Sequence, residues 1–411
     1  MNSETKPMSL ALFSRLWLMV FLHYFVWGTW YVTMGTYLHS TLKFEGGQIG
    51  LAYGSTAIGA MVSPFFAGIV ADRFFATQRL LGTLHLIGAS LLWYVSTLKN
   101  FGQFYPVLIA YTISYMAGHG LTNALTLTHS KNPAKEFPLV MMMGSVGWIA
   151  AGFAVSKLKF EDNAGMFQLA AGAALLMGLY SFTLPHTPPK GAGAPVNART
   201  MLGLDALRLM RDRSFCTFII CSFLICVPLS FYFNWMHVFM GELKIENAAM
   251  KMTGAQVSDV VFLLLLPFLL KRLGVKGILI LGMVAWTVRF GLLAQYPQSA
   301  GAAWMIFVAI AVHGMCYDYI FVMGRMYVDQ RATEDIRAAT QGFHAFVTLG
   351  AGMFVGSWLS GVVGQHYTNA GGATHNWSGI WLMPAVMSAV LIVVFAVLFK
   401  DNGTPAKPTD R

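Results

Sequence analysis

The residues of this chain best suited to chemistry are two acids and a base that stand where charge is costly. Of 17 acidic residues, only Asp259 and Asp318 fall well inside long apolar stretches, and Arg289 is the one base so placed. Each such charge costs about 2.5–3.5 kcal/mol on membrane-insertion scales, so it usually faces a water-filled path, a partner or a cargo. A carboxyl in such surroundings can alternately hold and release a proton, the part that a proton-coupled carrier needs. For Asp318 the alternative is a structural ion pair with Arg289, the candidate partner. Asp259 has a polar neighbour, Gln256, three residues earlier, so the two share one helix face.

Similar faces recur along the chain. Met141, Ser145 and Trp148 share one, His119 and Asn123 a second, and His313 and Tyr317 a third. His23, Trp27, Trp30 and Tyr37 form a polar-aromatic stripe. Aromatic rings beside hydrogen-bonding groups suit a flat heterocycle joined to a polyol: stacking orients the ring, while amides, hydroxyls and a carboxylate read the hydroxyls. Ordinary helix packing also uses small and polar side chains. For His23, His119, Ser145 or Trp30 taken singly, packing is the simpler reading; for the Gln256–Asp259 pair it is not.

The elements that must position these residues are membrane helices. Hydrophobic residues make up 56% of the 411 and charged residues only 11%, too few to build a water-soluble surface. Soluble enzyme folds, disorder and coiled coils are excluded on that ground. Crossing the hydrocarbon takes about 20 mostly apolar residues. Twelve stretches qualify, roughly 14–38, 47–71, 78–97, 104–128, 137–157, 166–184, 214–240, 252–271, 276–295, 302–327, 336–364 and 376–399. Residues 185–213, rich in Pro, Gly and charge, separate the first six from the last six. The expected organisation is an all-α polytopic membrane protein: an N-terminal bundle over 1–184, a cytoplasmic linker over 185–213 and a C-terminal bundle over 214–411. The first apolar stretch carries His23, Tyr24, Trp27 and Trp30, unlike a signal-peptide core, and is read as a retained span.

With both termini assigned to the cytoplasm, 20 of the 27 Lys and Arg fall on the cytoplasmic side, six outside and one within a span. The net charge of +10 therefore reports topology and lipid headgroups, and no nucleic-acid partner is expected. The four cysteines lie in spans without metal-ligand spacing, so neither disulfides nor a metal is expected. The 11 histidines are scattered, with no pairing that suggests a haem or a catalytic triad, which disfavours a membrane enzyme.

Between the second and third stretches, Gly68-Ile69-Val70-Ala71-Asp72-Arg73 resembles the cytoplasmic G-x-x-x-D-R loop of the major facilitator superfamily. Gly there permits close packing, and an Asp–Arg pair can latch two helices. Gly68, Asp72 and Arg73 are thus candidates for a cytoplasmic gate, the alternative being a generic charged turn. More stretches resemble the bacterial nucleoside:H⁺ symporter family of that superfamily, the family of nucleoside and xanthosine permeases. They include Trp27-Gly28-Thr29-Trp30, Gly144-Ser145-Val146-Gly147-Trp148 and Leu184-Pro185-His186. They continue with the linker Leu202-Gly203-Leu204-Asp205-Ala206-Leu207, then Gln256-Val257-Ser258-Asp259, Ala285-Trp286 with Arg289-Phe290, and Tyr317-Asp318. The similarity runs from about residue 15 to 400.

The resemblance implies the twelve-helix, two-bundle fold and the binding of one nucleoside in a central cavity. It implies that Met141, Ser145, Trp148, Ser230, Phe233, Gln256, Asp259, His313 and Tyr317 line the site, with Asp259 or Asp318 carrying the proton. Well-studied members carry Arg at the position of Met141, Gln and Asn at Ser230 and Phe233, Glu at Asp259 and Tyr at His313. The expected protein is a monomeric nucleoside importer of the bacterial cytoplasmic membrane, with the proton as coupling ion and no other cofactor. Carriage of another polar solute such as a sugar, or sensing without transport, are the alternatives.

Overall fold

In the computed structural model, residues 8–73, 75–189, 204–298, 302–334, 336–372 and 374–400 are described. Among them the structure is helical throughout, apart from one isolated antiparallel bridge between Thr368 and His375. Helices occupy all twelve expected stretches. Seven described helices are each long and apolar enough to cross a membrane, and a bent pair, Trp304–Ala311 with His313–Arg331, forms another crossing. Gly46–Arg73, Phe101–His129 and Gly165–Ser181, of 28, 29 and 17 residues, supply spans two, four and six. Gly254–Gln295, 42 residues, is two helices joined at a break. At 1.5 Å per residue its helical length sums to about 63 Å, twice the hydrocarbon thickness, which suits two crossings. The break between spans eight and nine is Gly274, whose φ of 65° and ψ of 179° suit glycine alone.

By internal contacts the chain divides into two compact units. One comprises Met1–Val196 and Phe233–Thr253, the other Asn197–Tyr232 and Gly254–Arg411. The C-terminal part of span seven, Arg213–Glu242, thus groups with spans one to six. Of the expected linker, residues 190–203 lie outside the described residues; Leu204–Arg211 forms 3-10 turns.

In the first unit, span one is capped by Ser9, whose hydroxyl accepts from Leu12 N–H. Its buried Leu16, Met19, Val20 and Leu22 pack with Leu81, Leu121, Leu125, Val140 and Met177. Gly28, Gly144 and Gly147 bring it against span five, Pro133–Lys157: a Cβ on Gly28 would stand 2.9 Å from that of Ala151. The helix expected over 14–38 is interrupted. Leu10–Gly28 ends in turns, and the chain resumes at Met34–Thr36 and the wide turn Tyr37–Thr41. The hydroxyl of Thr29 donates back to Val26 O at 2.8 Å, a local bond that competes with the helix ladder.

In the second unit, span ten is bent by 42° at Val312 and widens into a π turn at Asp318–Val322. Span eleven has a similar π turn, Phe346–Gly352, between Arg337–Ala345 and Met353–His366. Near its ends the unit is tied by ion pairs from Arg331 to Asp212 at 3.2 Å and from Arg337 to Asp329 at 3.5 Å. Large apolar side chains such as Leu264, Val393 and Val397 lie exposed, as lipid-facing residues do.

Candidate functional site

The second unit holds one cluster of candidate residues, at the start of span eight and the bend in span ten. Gln256 and Asp259 are both half-buried one helical turn apart, and Ser258 between them points to span ten. Its hydroxyl donates to Ala311 O and accepts from Gly314 N–H at 2.8 Å. A Cβ on Gly314 would stand 2.5 Å from Ser258 O and 2.9 Å from the Cα of Asp259, so only glycine allows this approach. The contact sets His313, Tyr317 and Asp318 beside span eight. His313 and Tyr317 stack with ring centroids 6.0 Å apart and planes 10° from parallel.

Span nine delivers Arg289, which is fully buried. Its guanidinium carbon sits 3.7 Å from the ring centroid of Tyr232 and 5.3 Å from that of Trp286. Nη1 donates to His313 Nδ1 at 3.0 Å. Since a guanidinium has no acceptor, Nδ1 of His313 must accept, and the ring proton of the neutral imidazole is on Nε2. The ion pair considered for Asp318 is not present. Among the described residues no carboxylate lies within 4.0 Å of Arg289; His313 and two aromatic rings occupy the positions around it. Asp259 Oδ1, Asp318 Oδ2, Gln256 Oε1 and Arg289 Nε and Nη2 are buried without a hydrogen-bond partner. Buried polar atoms in that condition cost about 1–3 kcal/mol apiece, a cost that a proton or the polar groups of a ligand would relieve.

The first unit holds a separate aromatic cluster, an aromatic wall of its own. Trp148 meets Trp27 edge-on at 5.3 Å, Tyr31 meets Trp148 at 6.2 Å, and Phe233 meets Tyr31 at 5.3 Å. Ser145 is half-buried on the same helix. Met141 packs against the apolar core at the other end of that face. Ser230 is separate from these. It is fully buried, donates to Cys226 O at 2.8 Å, and lies where a Cβ on Gly356 would stand 2.6 Å from its oxygen. Its hydroxyl serves the packing of spans seven and eleven. Gly68, Asp72 and Arg73 end the helix Gly46–Arg73; their side chains lie outside the described residues.

Two features escaped the sequence reading. One is Ser258, to which the sequence assigned no role of its own. The other corrects the expectation that the histidines stand apart. His23 Nδ1 lies 3.1 Å from His85 Nε2, and His23 Nε2 lies 3.0 Å from His119 Nδ1, a chain of three imidazoles across spans one, three and four. His23 also stacks on Tyr115 at 4.6 Å. Partners 62 and 96 residues apart leave no local signal; only the topology joins them.

Outside the spans, Glu161 accepts from Ala249 N–H at 3.0 Å and from the Ser156 hydroxyl, and lies 3.6 Å from His237 Nε2. Burial alone would push its carboxyl up; His237 and these donors outweigh burial and hold it down at about 2.

Comparison with known proteins places this geometry. The family model described as "Nucleoside H+ symporter" matches residues 8–404. The chain is 36% identical over 413 residues to the YegT protein of Escherichia coli (strain K12), covering 97% of each. It is 31% identical over 418 residues to the xanthosine permease of the same organism, covering 98% of this chain and 99% of that one. The crystal structure of the nucleoside transporter NupG superposes with a TM-score of 0.86 at 30% identity, over 95% of this chain and 100% of that one. A D-xylose–proton symporter, at 13% identity and a TM-score of 0.72, shares the fold alone, that of the major facilitator superfamily.

Proposed function

From the premise that this chain belongs to the nucleoside H⁺ symporter family, we propose that it imports a nucleoside together with a proton across the bacterial cytoplasmic membrane by alternating access. It is a multi-pass membrane transporter and not an enzyme. The observation that carries the reading is the pair of carboxylates, Asp259 and Asp318, with buried oxygens that no protein group satisfies, near an Arg289 that pairs with neither.

In this reading the second unit provides the coupling chemistry. A carboxylate buried without a donor is an unfavourable ion, and protonation removes that penalty. With one acid protonated, Gln256 Oε1 and Asp259 Oδ1 are free to accept hydrogen bonds from the hydroxyls or base edge of a nucleoside. His313, fixed by Arg289, presents its Nε2–H, and the stacked Tyr317 packs against the base. The first unit adds Trp148, Phe233, Ser145 and Met141. Ser230, a candidate lining residue of the second unit, donates to Cys226 O. Release of cargo and proton on the cytoplasmic side resets the carrier, with Gly68, Asp72 and Arg73 acting as the gate on that side. Both termini are cytoplasmic, the protein acts as a monomer in the bilayer, and the proton is the only coupling ion.

The test is uptake into proteoliposomes. Purified protein should accumulate radiolabelled nucleosides only when the outside is acidic, and a protonophore should abolish the accumulation. Asp259→Asn should keep nucleoside exchange but lose concentration against a gradient. Accumulation indifferent to the pH difference would overturn proton coupling, and unaltered coupled uptake by Asp259→Asn would remove Asp259 from the mechanism.

A further inference from the structure

Among the polar atoms of the first unit that are buried with no hydrogen-bond partner in the described residues are Trp27 Nε1, His119 Nε2 and Asn123 Oδ1. They are neighbours. His119 and Asn123 stand one turn apart on span four, where side chains at i and i+4 lie about 5–6 Å from each other. Trp27 and His119 rings meet at 5.2 Å, and the far side of Trp27 meets Trp148, already part of the aromatic wall. One unpaired atom could be an accident of packing. A donor, an acceptor and a group able to be either, unpaired together beside a stacking platform, form the complement of a polar ligand edge.

The histidine chain explains how His119 can be either. A neutral imidazole has one N–H and one lone pair. The His85–His23 and His23–His119 bonds must therefore run in the same direction along the chain. If His85 donates, His23 donates onward and His119 is left with Nε2–H free. If His119 donates, its free Nε2 offers a lone pair. Among the described residues no carboxylate lies within 4.0 Å of the three, so nothing recruits an imidazolium there. The remaining groups in contact are aromatic, Tyr24 and Tyr115 around His23 and Trp27 beside His119.

We propose that Asn123, His119 and Trp27 form a nucleobase-reading subsite in the first unit, in which Asn123 accepts the ring N–H of the base. His119, set by the His85–His23 chain behind it, meets the adjacent exocyclic group, whether oxo or amino. Trp27 donates its indole N–H to a second carbonyl. This rests on the reading that the cargo is a nucleoside and adds which edge of it is read and by what. It also supplies polar recognition in the unit where Met141 contributes none.

The test compares uptake of uridine with 3-methyluridine, and of inosine with 1-methylinosine, by the full chain in a transport-null bacterial strain. Each methyl group removes the N–H that Asn123 would accept. The wild type should prefer the unmethylated partner by about tenfold or more, the penalty for leaving a buried acceptor unpaired. Asn123→Leu, close to asparagine in size, should bring the ratio near one, whereas Asn123→Asp, which keeps the acceptor, should retain it. The ratio is read within each variant, so expression does not enter. Should Asn123→Leu fail to fold, Asn123→Ala is read the same way. A preference that survives both Leu and Ala is steric and overturns the subsite while leaving the nucleoside reading intact. Failure of the wild type to take up any nucleoside overturns both.

Discussion

Ser258→Ala removes one hydroxyl and should disturb the molecule out of proportion to its size. Ala311 ends a helix and Gly314 follows the bend at Val312, so neither Ala311 O nor Gly314 N–H belongs to a continuous ladder. The Ser258 hydroxyl bonds both. Replacement by alanine therefore orphans one acceptor and one donor. At about 1–3 kcal/mol for each buried group left unpaired, the loss could reach about 6 kcal/mol. Measured interhelical bonds in membrane proteins average about 0.6 kcal/mol, which sets a floor of about 1.2 kcal/mol for the two. We expect about 1.2–3 kcal/mol, because the freed groups partly relax onto each other across the bend. The assay is reversible unfolding in mixed micelles, wild type against variant. Nucleoside KM, measured alongside, should rise because the contact that sets His313 and Asp318 beside Asp259 is loosened. A change below about 0.5 kcal/mol with unaltered KM would show that the bend is held by the helices themselves, and the positioning role given to Ser258 would be refuted.

Other outcomes follow from the same geometry. Gly274→Ala places a Cβ at φ 65°, ψ 179°, and should cost about 1–3 kcal/mol in unfolding free energy without altering KM. Glu161→Gln tests the outer clasp to His237 and Ala249. Because the folded carboxyl is held down at about 2, its stabilisation is complete above the unfolded value near 4.3 and fades as pH falls toward 2. Thermal midpoints of wild type and variant should differ at pH 6 and converge as pH falls from about 4 toward 2; a gap that widens on acidification would contradict the clasp. Arg337→Ala breaks an ion pair whose side chains are about half exposed and should shift stability by less than about 1 kcal/mol, read by the same midpoints.

Much of the architecture was legible from hydropathy, because a span must be apolar over its length and few other segments are. The twelve stretches follow from that constraint. The interruptions did not show. Residues 29–33 and 312 are apolar or weakly polar, and the chain leaves the helix there because of side chain–backbone bonds and packing of spans distant in sequence. The same divide applies to the site. Gln256–Asp259 and His313–Tyr317 were legible because each pair lies one turn apart on one helix. Ser258 was not singled out because its partners sit 53 and 56 residues away in the sequence. A hydroxyl in an apolar span, such as that of Ser230, reads the same whether it faces cargo or a neighbouring glycine. The histidine chain needed three helices to be assembled before it existed.

His313–Tyr317 is a single turn with a kink before it and a widened turn after it. Most transmembrane rods can respond to cargo only by tilting whole, dragging lipid contacts along. Here five residues, bearing the imidazole and phenol proposed to meet the cargo, lie between a bend and a widened turn. A pull from ligand bound there is expected to re-aim that short crank before it shifts the rods on either side. Reporter groups on Trp304 and Arg331, at the outer ends, should therefore stay silent to binding events that a probe at Met315 detects.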